Sequence, residues 1–161
     1  MPFATLGLSP AVCAPLARLG YTKPTPVQTQ SIPVILTGAD LLARAQTGTG
    51  KTAAFALPMI DRLLASGRRS AKPGSPRGLV LVPTRELAMQ VHTSLTAYGA
   101  GARVRTAVVF GGVPIGAQIR TLRQAPATST TNWIGASIWT PSSARSNRAT
   151  PTRTWPSWPA G

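Results

Sequence analysis

Apolar and polar positions in residues 1–124 follow two periodicities, one typical of amphipathic helices and one typical of buried strands. The run Leu79–Val82 is continuously apolar between loop-type residues, which predicts a strand buried on both faces. The predicted elements, in chain order, are a helix from Ser9-Pro10 to Leu19, a helix from Thr25-Pro26 to Leu36, a strand from Asp40 to Ala43, a helix from Lys51 to Leu64, a loop from Gly67 to Gly78, the Leu79–Val82 strand, a helix from Glu86 to Tyr98 and a strand from Val104 to Phe110. This alternation predicts an α/β fold in which helices wrap a parallel sheet.

Charge is the unusual part of the composition. The 161 residues include 17 Lys and Arg but three Asp and Glu, which gives a formal net charge of +14 and favours a polyanionic partner such as nucleic acid. A single cysteine, Cys13, excludes an internal disulfide and a cysteine-based metal cluster, and is predicted to be an ordinary thiol. No apolar run approaches the roughly 18 residues of a membrane span. No basic residue precedes the first apolar stretch, so we expect neither a secretory signal nor a membrane partner. We therefore expect a cytoplasmic protein.

The composition changes sharply near Gln124. No carboxylate follows Glu86, and all four tryptophans lie in residues 125–161, which are rich in Ser, Thr and Pro. We therefore predict two regions, a folded region at 1–124 and a largely irregular, basic tail at 125–161. Because five prolines in that tail remove ladder donors, we expect it to be mostly coil and to supply no strand.

Residues 45–52 read Ala-Gln-Thr-Gly-Thr-Gly-Lys-Thr and lie between a predicted strand and a predicted helix, the context that a phosphate loop requires. Gly48 and Gly50 let backbone N–H groups turn towards phosphate oxygens at a helix N-terminus. Lys51 would reach the β- and γ-phosphates, and the Thr52 hydroxyl would bind Mg²⁺ together with the nucleotide. Ala45 stands where the common form of the motif has its first glycine.

Three further segments give this loop a family context. Gly20 to Gln28 reads Gly-Tyr-Thr-Lys-Pro-Thr-Pro-Val-Gln, residues 83–88 read Pro-Thr-Arg-Glu-Leu-Ala, and Gly111-Gly112 follows the last predicted strand. With the phosphate loop, these segments resemble the Q motif, motif I, motif Ia and the Gly-Gly element of DEAD-box ATP-dependent RNA helicases. The resemblance covers about residues 3–124, with the Q motif at 3–28, and it implies an incomplete RecA-like P-loop domain. The family also has alanine at the position of Ala45.

The resemblance implies an ATP site. In the family the Q motif reads adenine, and the Gln28 amide has the acceptor and donors to pair with the adenine edge and so select ATP over GTP. Phe3 and Tyr21 are similar to the aromatic pair around the base, with plain core packing as the alternative for Phe3. Thr25 would buttress the Q-motif turn. The implied ATP- and Mg²⁺-binding residues are Phe3, Tyr21, Thr25, Gln28, Gln46, Thr47, Gly48, Thr49, Gly50, Lys51 and Thr52.

An RNA-binding edge is implied as well. Motif Ia follows a buried strand, so it lies at the carboxyl edge of the sheet, where ligand sites gather. In the family this edge contacts the RNA backbone without reading sequence, and the implied residues are Pro83, Thr84, Arg85, Glu86, Gly111 and Gly112. Glu86 has an alternative role, since an acid in the first turn complements the helix dipole. His92 is expected to be a solvated helix residue rather than a ligand.

Several parts of the family pattern are missing from these 161 residues. The Asp-Glu-Ala-Asp box, the Ser-Ala-Thr element and a second RecA-like domain do not occur, and Thr140-Pro141 continues as Ser142-Ser143 rather than as Gly-Arg. The catalytic carboxylates and the arginine finger are therefore absent, so no catalytic residue is assigned. We expect at most a nucleotide and RNA binder with little hydrolysis. We also expect poor solubility, because the sheet strands that would cover Leu79–Val82 are missing.

Alternatives remain at two levels. The tail is interpreted as the product of a reading-frame change near Gln124, because shifting the frame of residues 129–134 in a GC-rich gene restores acidic residues. The alternatives are a rearranged gene and a genuine tail whose Arg and Trp side chains stack on single-stranded nucleic acid. For the whole chain, the alternatives to a helicase fragment are a basic nucleic-acid-binding module without ATPase activity and another phosphate-loop enzyme such as a small-molecule kinase. The Gln28 context argues against the kinase.

Overall fold

The structure is a computed structural model that describes residues 2–66, 77–102, 104–123 and 132–138. It has mixed helix and strand content, as predicted. A short 3-10 helix at Phe3–Leu6 precedes the regular elements, which in chain order are α1 (Pro10–Arg18), α2 (Pro26–Thr37), α3 (Lys51–Ala65), β1 (Gly78–Val82), α4 (Arg85–Tyr98), β2 (Val104–Val109), α5 (Ile115–Arg123) and β3 (Asn132–Ile138).

The predicted helix ends are confirmed to within a residue or two because local chemistry sets them. Pro10 and Pro26 occupy the first positions of α1 and α2, where a missing N–H costs no hydrogen bond. Gly38 ends α2 with φ of 90°, a left-handed conformation that favours glycine. The 3-10 helix and α5 were not predicted, and most of the predicted loop at 67–78 lies outside the described residues.

The three strands form one parallel sheet in the order β1-β3-β2. The central strand pairs with both neighbours, with Ala136 opposite Val80 on one side and opposite Val108 on the other. Helix α4 packs across all three strands, α3 packs on α4, and α5 contacts β2. The carboxyl ends of β1 and β2 therefore lie at the same edge of the sheet, and that edge positions the candidate site.

The expectation that residues 125–161 supply no strand is wrong for the part of this segment that the structure describes. Residues 132–138 form β3, and this strand is the centre of the sheet. The physical reason is that the segment between Pro126 and Pro141 is free of proline, so every residue of β3 keeps the N–H that a ladder needs. The remaining tail residues, including Trp139, Trp155 and Trp158, lie outside the described residues.

The expectation that β1 is buried on both faces is also wrong. Val82 is buried and Val80 packs partly against the core, but Leu79 and Leu81 on the opposite face are 59% and 54% exposed. The reason is that the helices that form the core lie on the face of Val80 and Val82. No described element covers the other face of β1.

The predicted strand at Asp40–Ala43 does not form. The segment 39–46 is irregular, and the Leu42 side chain is 98% exposed. It pairs with no strand in the described ranges, and a cavity of about 560 Å³ separates it from β1. An extended segment becomes a strand only when a neighbour completes its hydrogen-bond ladder, and none of the three described strands lies beside this one.

The core lies among the helices and the inner face of the sheet. Leu57 and Ile60 of α3 are fully buried, and each such side chain stabilises the fold by about 1.5–3 kcal/mol. Asp61 ties two helices together, since its Oδ1 accepts a hydrogen bond of 2.9 Å from the N–H of Ser9 at the start of α1. A carboxylate at a helix N-terminus is stabilising because the N–H groups there carry partial positive charge. Among the described helices, none is both long enough and apolar enough to cross a membrane.

Candidate nucleotide and nucleic-acid site

The phosphate loop runs directly into the first turn of α3. A turn at residues 47–49 leads to Gly50, which precedes the helix with φ of 87°, and Gly48 has φ of 79°. A side chain at Gly50 would be strained by that φ and would also collide with the Gln28 amide. Glycine is therefore required at this position, and Lys51 and Thr52 follow it as the first two residues of α3.

The Lys51 ammonium group lies on the loop itself. Its Nζ donates to the carbonyl oxygen of Ala45 and, at 2.8 Å, to that of Gln46. The hydroxyl of Thr49 also donates to the Gln46 carbonyl, at 2.8 Å. Two carbonyl oxygens of the loop thus accept from the Lys51 ammonium group.

The Q-motif residues are bonded to the same loop. Gln28 is 1% exposed; its Oε1 accepts from the N–H of Thr25 at 2.9 Å, and its Nε2 donates to the carbonyl of Gly50 at 3.1 Å. The Thr25 hydroxyl donates to the carbonyl of Thr49 at 2.8 Å. Two side chains from the start of α2 therefore bond to Thr49 and Gly50, the two residues of the phosphate loop that directly precede α3.

The two aromatic residues predicted for the adenine site are packed together at the core. Phe3 is 5% exposed and meets the Tyr21 ring edge-on, with centroids 6.1 Å apart. On its other side Tyr21 meets Tyr98 of α4, with centroids 5.7 Å apart and the two hydroxyl oxygens at 2.6 Å. Burial, and then the hydrogen bond with Tyr21, raise the pKa of Tyr98. Sequence reasoning missed Tyr98, since 77 residues separate it from Tyr21.

Motif Ia lies at the carboxyl end of β1, as its position in the sequence predicts. Pro83 and Thr84 are exposed in the bend between β1 and α4. The Thr84 hydroxyl oxygen caps α4 by accepting from the N–H of Leu87 at 3.2 Å. Glu86 is exposed in the first turn of α4, where a carboxylate complements the helix dipole.

Arg85 joins motif Ia to the Gly-Gly element. Its Nη2 donates to the carbonyl of Gly111, and its guanidinium carbon lies 5.2 Å from the centroid of the Phe110 ring, within cation–π range. Gly112 has φ of 77°, and a Cβ at this residue would collide with the Arg85 guanidinium. The two segments that the sequence assigned separately to RNA binding are thus in direct contact.

Gln118 of α5 is a residue of this edge that sequence reasoning missed. Its Oε1 accepts from the N–H of Phe110 at 2.9 Å, and its Nε2 donates to the carbonyls of Phe110 at 3.1 Å and of Val113 at 3.2 Å. A glutamine on a short polar helix carries no special signal in the sequence. Only its place eight residues after Phe110 brings its amide back to the turn.

Two further side chains with shifted pKa values lie on α4 and α1. His92 of α4 is half-buried rather than solvated; burial lowers its pKa, and its Nδ1 has no partner in the described part of the chain. Cys13 is a free, partly buried thiol whose pKa is raised by burial and by the charge of Asp61. The described residues contain no group of three or more His, Cys, Asp or Glu that could hold a metal ion.

Comparison with known proteins identifies the family of this chain. A family model described as DEAD/DEAH box helicase matches residues 25–146, well over half of the 161-residue chain. The chain belongs to the DEAD/DEAH box helicase family. The matched range includes the phosphate loop, motif Ia, the Gly-Gly element and β3, and it continues past the composition change at Gln124.

Two curated relatives carry the name ATP-dependent RNA helicase RhlB and come from two strains of Xanthomonas campestris pv. campestris. Each is 43% identical to this DEAD-box chain over 125 residues, which is 77% of this chain and 22% of the relative. The chain therefore spans less than a quarter of the length of the relatives it matches.

Proposed function

We propose that this chain is the nucleotide-binding part of a DEAD-box ATP-dependent RNA helicase, an incomplete RecA-like domain in the cytoplasm that binds ATP with Mg²⁺ and contacts RNA. The proposed nucleotide site comprises the phosphate loop from Gln46 to Thr52, with Gln28 and Tyr21 on the adenine side. The proposed RNA surface comprises Pro83 to Glu86 and Gly111-Gly112.

One observation carries the nucleotide proposal. Thr25 and Gln28 donate to the carbonyls of Thr49 and Gly50 at 2.8 Å and 3.1 Å, so Gln28, the proposed adenine-reading residue, and Thr25, the proposed support of the Q-motif turn, are bonded directly to the phosphate loop. A nucleotide needs a base site and a phosphate site within its own length, and these bonds support a base site next to the loop. The Gln28 amide keeps one donor hydrogen beyond the bond to Gly50, which suits an adenine ring nitrogen.

The residues present fit a triphosphate and its metal ion. Lys51 supplies a cation, Thr49 and Thr52 supply hydroxyls, and the N-terminus of α3 supplies partial positive charge. Mg²⁺ bound with the nucleotide would neutralise phosphate charge, with the Thr52 hydroxyl as its protein ligand. The Lys51 ammonium group has three N–H donors and uses two of them on the carbonyls of Ala45 and Gln46, so the third can donate to a phosphate oxygen. Phe3 contributes to the base site through Tyr21, since its own ring is buried.

The RNA proposal rests on position and charge. Motif Ia and the Gly-Gly element are both exposed at the carboxyl edge of the sheet and contact each other through Arg85. The chain carries a net charge of +14, which favours binding to a phosphate backbone without selection of bases. An exposed hydroxyl at Thr84 and glycine N–H groups are the kind of donors that position a sugar-phosphate chain.

The proposed activity of these residues by themselves is binding rather than turnover. No carboxylate follows Glu86, so the groups that would hold Mg²⁺ and orient the attacking water are not among them. We expect nucleotide binding that survives without RNA and hydrolysis that stays close to the uncatalysed rate.

Displacement of a fluorescent ADP analogue tests the nucleotide proposal. ATP and ADP should displace the analogue, GTP should do so at least about tenfold less well, and Lys51→Ala should abolish binding. Lys23→Ala is the matched control, because Lys23 is an exposed cation whose removal changes net charge equally. Equal loss in both variants would mean that net charge alone attracts the nucleotide.

That outcome would favour the second candidate, a basic nucleic-acid-binding module without ATPase activity, for which the net charge of +14 is the supporting observation. The two candidates also differ in RNA binding. A helicase fragment should lose RNA affinity when Thr84 is replaced, whereas a purely electrostatic binder should respond only to salt and to the number of cations.

A further inference from the structure

The turn that contains the Gly-Gly element is held at both ends by one side chain. Gln118 uses its single acceptor oxygen and its donor nitrogen on the backbone of Phe110 and Val113, through three hydrogen bonds of 2.9, 3.1 and 3.2 Å. We call Phe110–Val113 the glycine turn. These bonds lie on either side of Gly111 and Gly112. After the end of β2, the Gln118 amide therefore supplies the hydrogen bonds that a neighbouring strand would supply within a sheet.

This arrangement leaves the middle of the glycine turn open. Gly111 and Gly112 are exposed, and within the described ranges their N–H groups have no hydrogen-bond acceptor. Consecutive backbone N–H groups in a turn with a left-handed residue form a concavity that binds anions. Gly112 supplies that left-handed residue, with φ of 77°.

Arg85 holds the same turn from the other side. It donates to the carbonyl of Gly111 and lies 5.2 Å from the centroid of the Phe110 ring. The carbonyl of Gly111 is thereby drawn towards α4. The glycine turn is thus bonded to α4 through Arg85 and to α5 through Gln118. The N–H groups of Gly111 and Gly112, which have no acceptor among the described residues, are the part left for a ligand.

We propose that Gln118 is a positioning residue that holds the glycine turn in the conformation that accepts an RNA phosphate, and that Arg85 acts on the turn as well as on RNA. This inference rests on the RNA role proposed above for Gly111 and Gly112. Gln118 itself does not contact the phosphate. Its effect is to hold the turn in one conformation before RNA arrives, which lowers the entropy lost on binding.

The first measurement needs no RNA. In the full 161-residue chain, Gln118→Ala removes the acceptor of the Phe110 N–H, so hydrogen exchange at Phe110 should accelerate by about tenfold or more. Gln118→Glu keeps an acceptor for that N–H although it loses both donor bonds, so exchange at Phe110 should stay slow in this variant. Gln90→Ala, an exposed glutamine of α4, is the matched control and should leave exchange at Phe110 unchanged. Unchanged exchange at Phe110 in Gln118→Ala overturns the proposal.

The second measurement is the affinity for a single-stranded oligouridine RNA. Gln118→Ala should weaken RNA binding by about tenfold while the affinity for an ADP analogue stays the same. Gly112→Ala distorts the same turn directly, so the effects of the two substitutions on RNA affinity should be non-additive. The double variant should bind RNA about as well as the single variant with the lower RNA affinity. A structural defect elsewhere would reduce nucleotide binding too, or would add to the effect of Gly112→Ala, and either result overturns the proposal.

The two proposals fail differently. If Thr84→Ala and Gly112→Ala leave RNA affinity unchanged, the RNA surface itself is wrong, and the role of Gln118 in RNA binding falls with it even where exchange at Phe110 responds. If those variants weaken RNA binding but Gln118→Ala does not, the RNA surface stands and the positioning role alone is overturned.

Discussion

The Gln28 amide bonds to the carbonyl of Gly50 at 3.1 Å while its oxygen accepts the N–H of Thr25. This relationship joins two motifs that lie 22 residues apart and makes the phosphate loop part of the packing of α2 and α3. A change at either motif should therefore alter both nucleotide binding and the stability of the fold.

Replacing Gln28 tests that coupling. Gln28→Ala leaves the N–H of Thr25 without its partner and removes one of the two donors to the Gly50 carbonyl, which keeps the N–H of Ala54, so the free energy of unfolding should fall by about 1–3 kcal/mol in urea titrations. The preference for ATP over GTP should also disappear in competition assays. Gln30→Ala, on an exposed part of α2, should change neither quantity. A retained preference for ATP would contradict the assignment of Gln28 to adenine.

Gly50 and Gly20 form a matched pair of glycines. Both have positive φ, 87° and 79°, but a Cβ would collide with Gln28 at Gly50 and meet nothing within 4 Å at Gly20. Gly20→Ala should cost only backbone strain, about 1 kcal/mol, and leave nucleotide affinity unchanged. Gly50→Ala should cost more and abolish binding of the ADP analogue. Equal effects on stability would mean that the Gln28 side chain moves freely out of the way.

His92 predicts how stability depends on pH. Burial lowers its pKa below the ordinary value of 6.5, so the unfolded chain takes up a proton at a higher pH than the folded chain does. The contribution of His92 is therefore complete above that ordinary value and is lost as pH falls towards the lowered folded pKa. Urea titrations at pH about 7.5 and about 5.5 should show a decrease on acidification. His92→Gln should reduce the decrease, and since it is the chain's one histidine, an unchanged decrease would place its cause elsewhere.

Strand β3 makes residues beyond Gln124 part of the fold. It pairs with β1 and β2, which do not pair with each other, so a chain of residues 1–124 should lose cooperative unfolding while residues 1–146 should keep it. Amide exchange should be slow across 132–138 in the full chain. Fast amide exchange across 132–138 would support a reading-frame change near Gln124, whereas slow exchange would contradict it. Sequencing the gene across codons 120–130 tests the same interpretation directly.

ATP hydrolysis tests whether this chain only binds nucleotide. Without carboxylates after Glu86, the chain should release no more phosphate from ATP with RNA than without it. Phosphate release measured at saturating ATP decides this. RNA-stimulated turnover that Lys51→Ala abolishes would mean that other residues of this chain supply the catalytic groups.

Local chemistry made much of this molecule predictable from the sequence. Pro26 and Gly38 bound α2, and Thr84 caps α4, because proline, glycine and threonine act on the backbone next to them. The phosphate loop was recognisable for the same reason, since Gly50 and Lys51 act within a few residues of one another. The family followed from the order of such local motifs, and the comparison with known proteins confirms it.

Tertiary structure decided what depends on residues far apart in the chain. The pairing of Tyr21 with Tyr98 and the return of Gln118 to Phe110 arise only once helices pack on the sheet. The same holds for strands, because an apolar run such as 79–82 has the same pattern whether one face or both are covered. Residues 132–138 form the central strand because β1 and β2 lie on either side of them and supply backbone hydrogen-bond partners. A pattern within seven residues cannot indicate whether such neighbours are present.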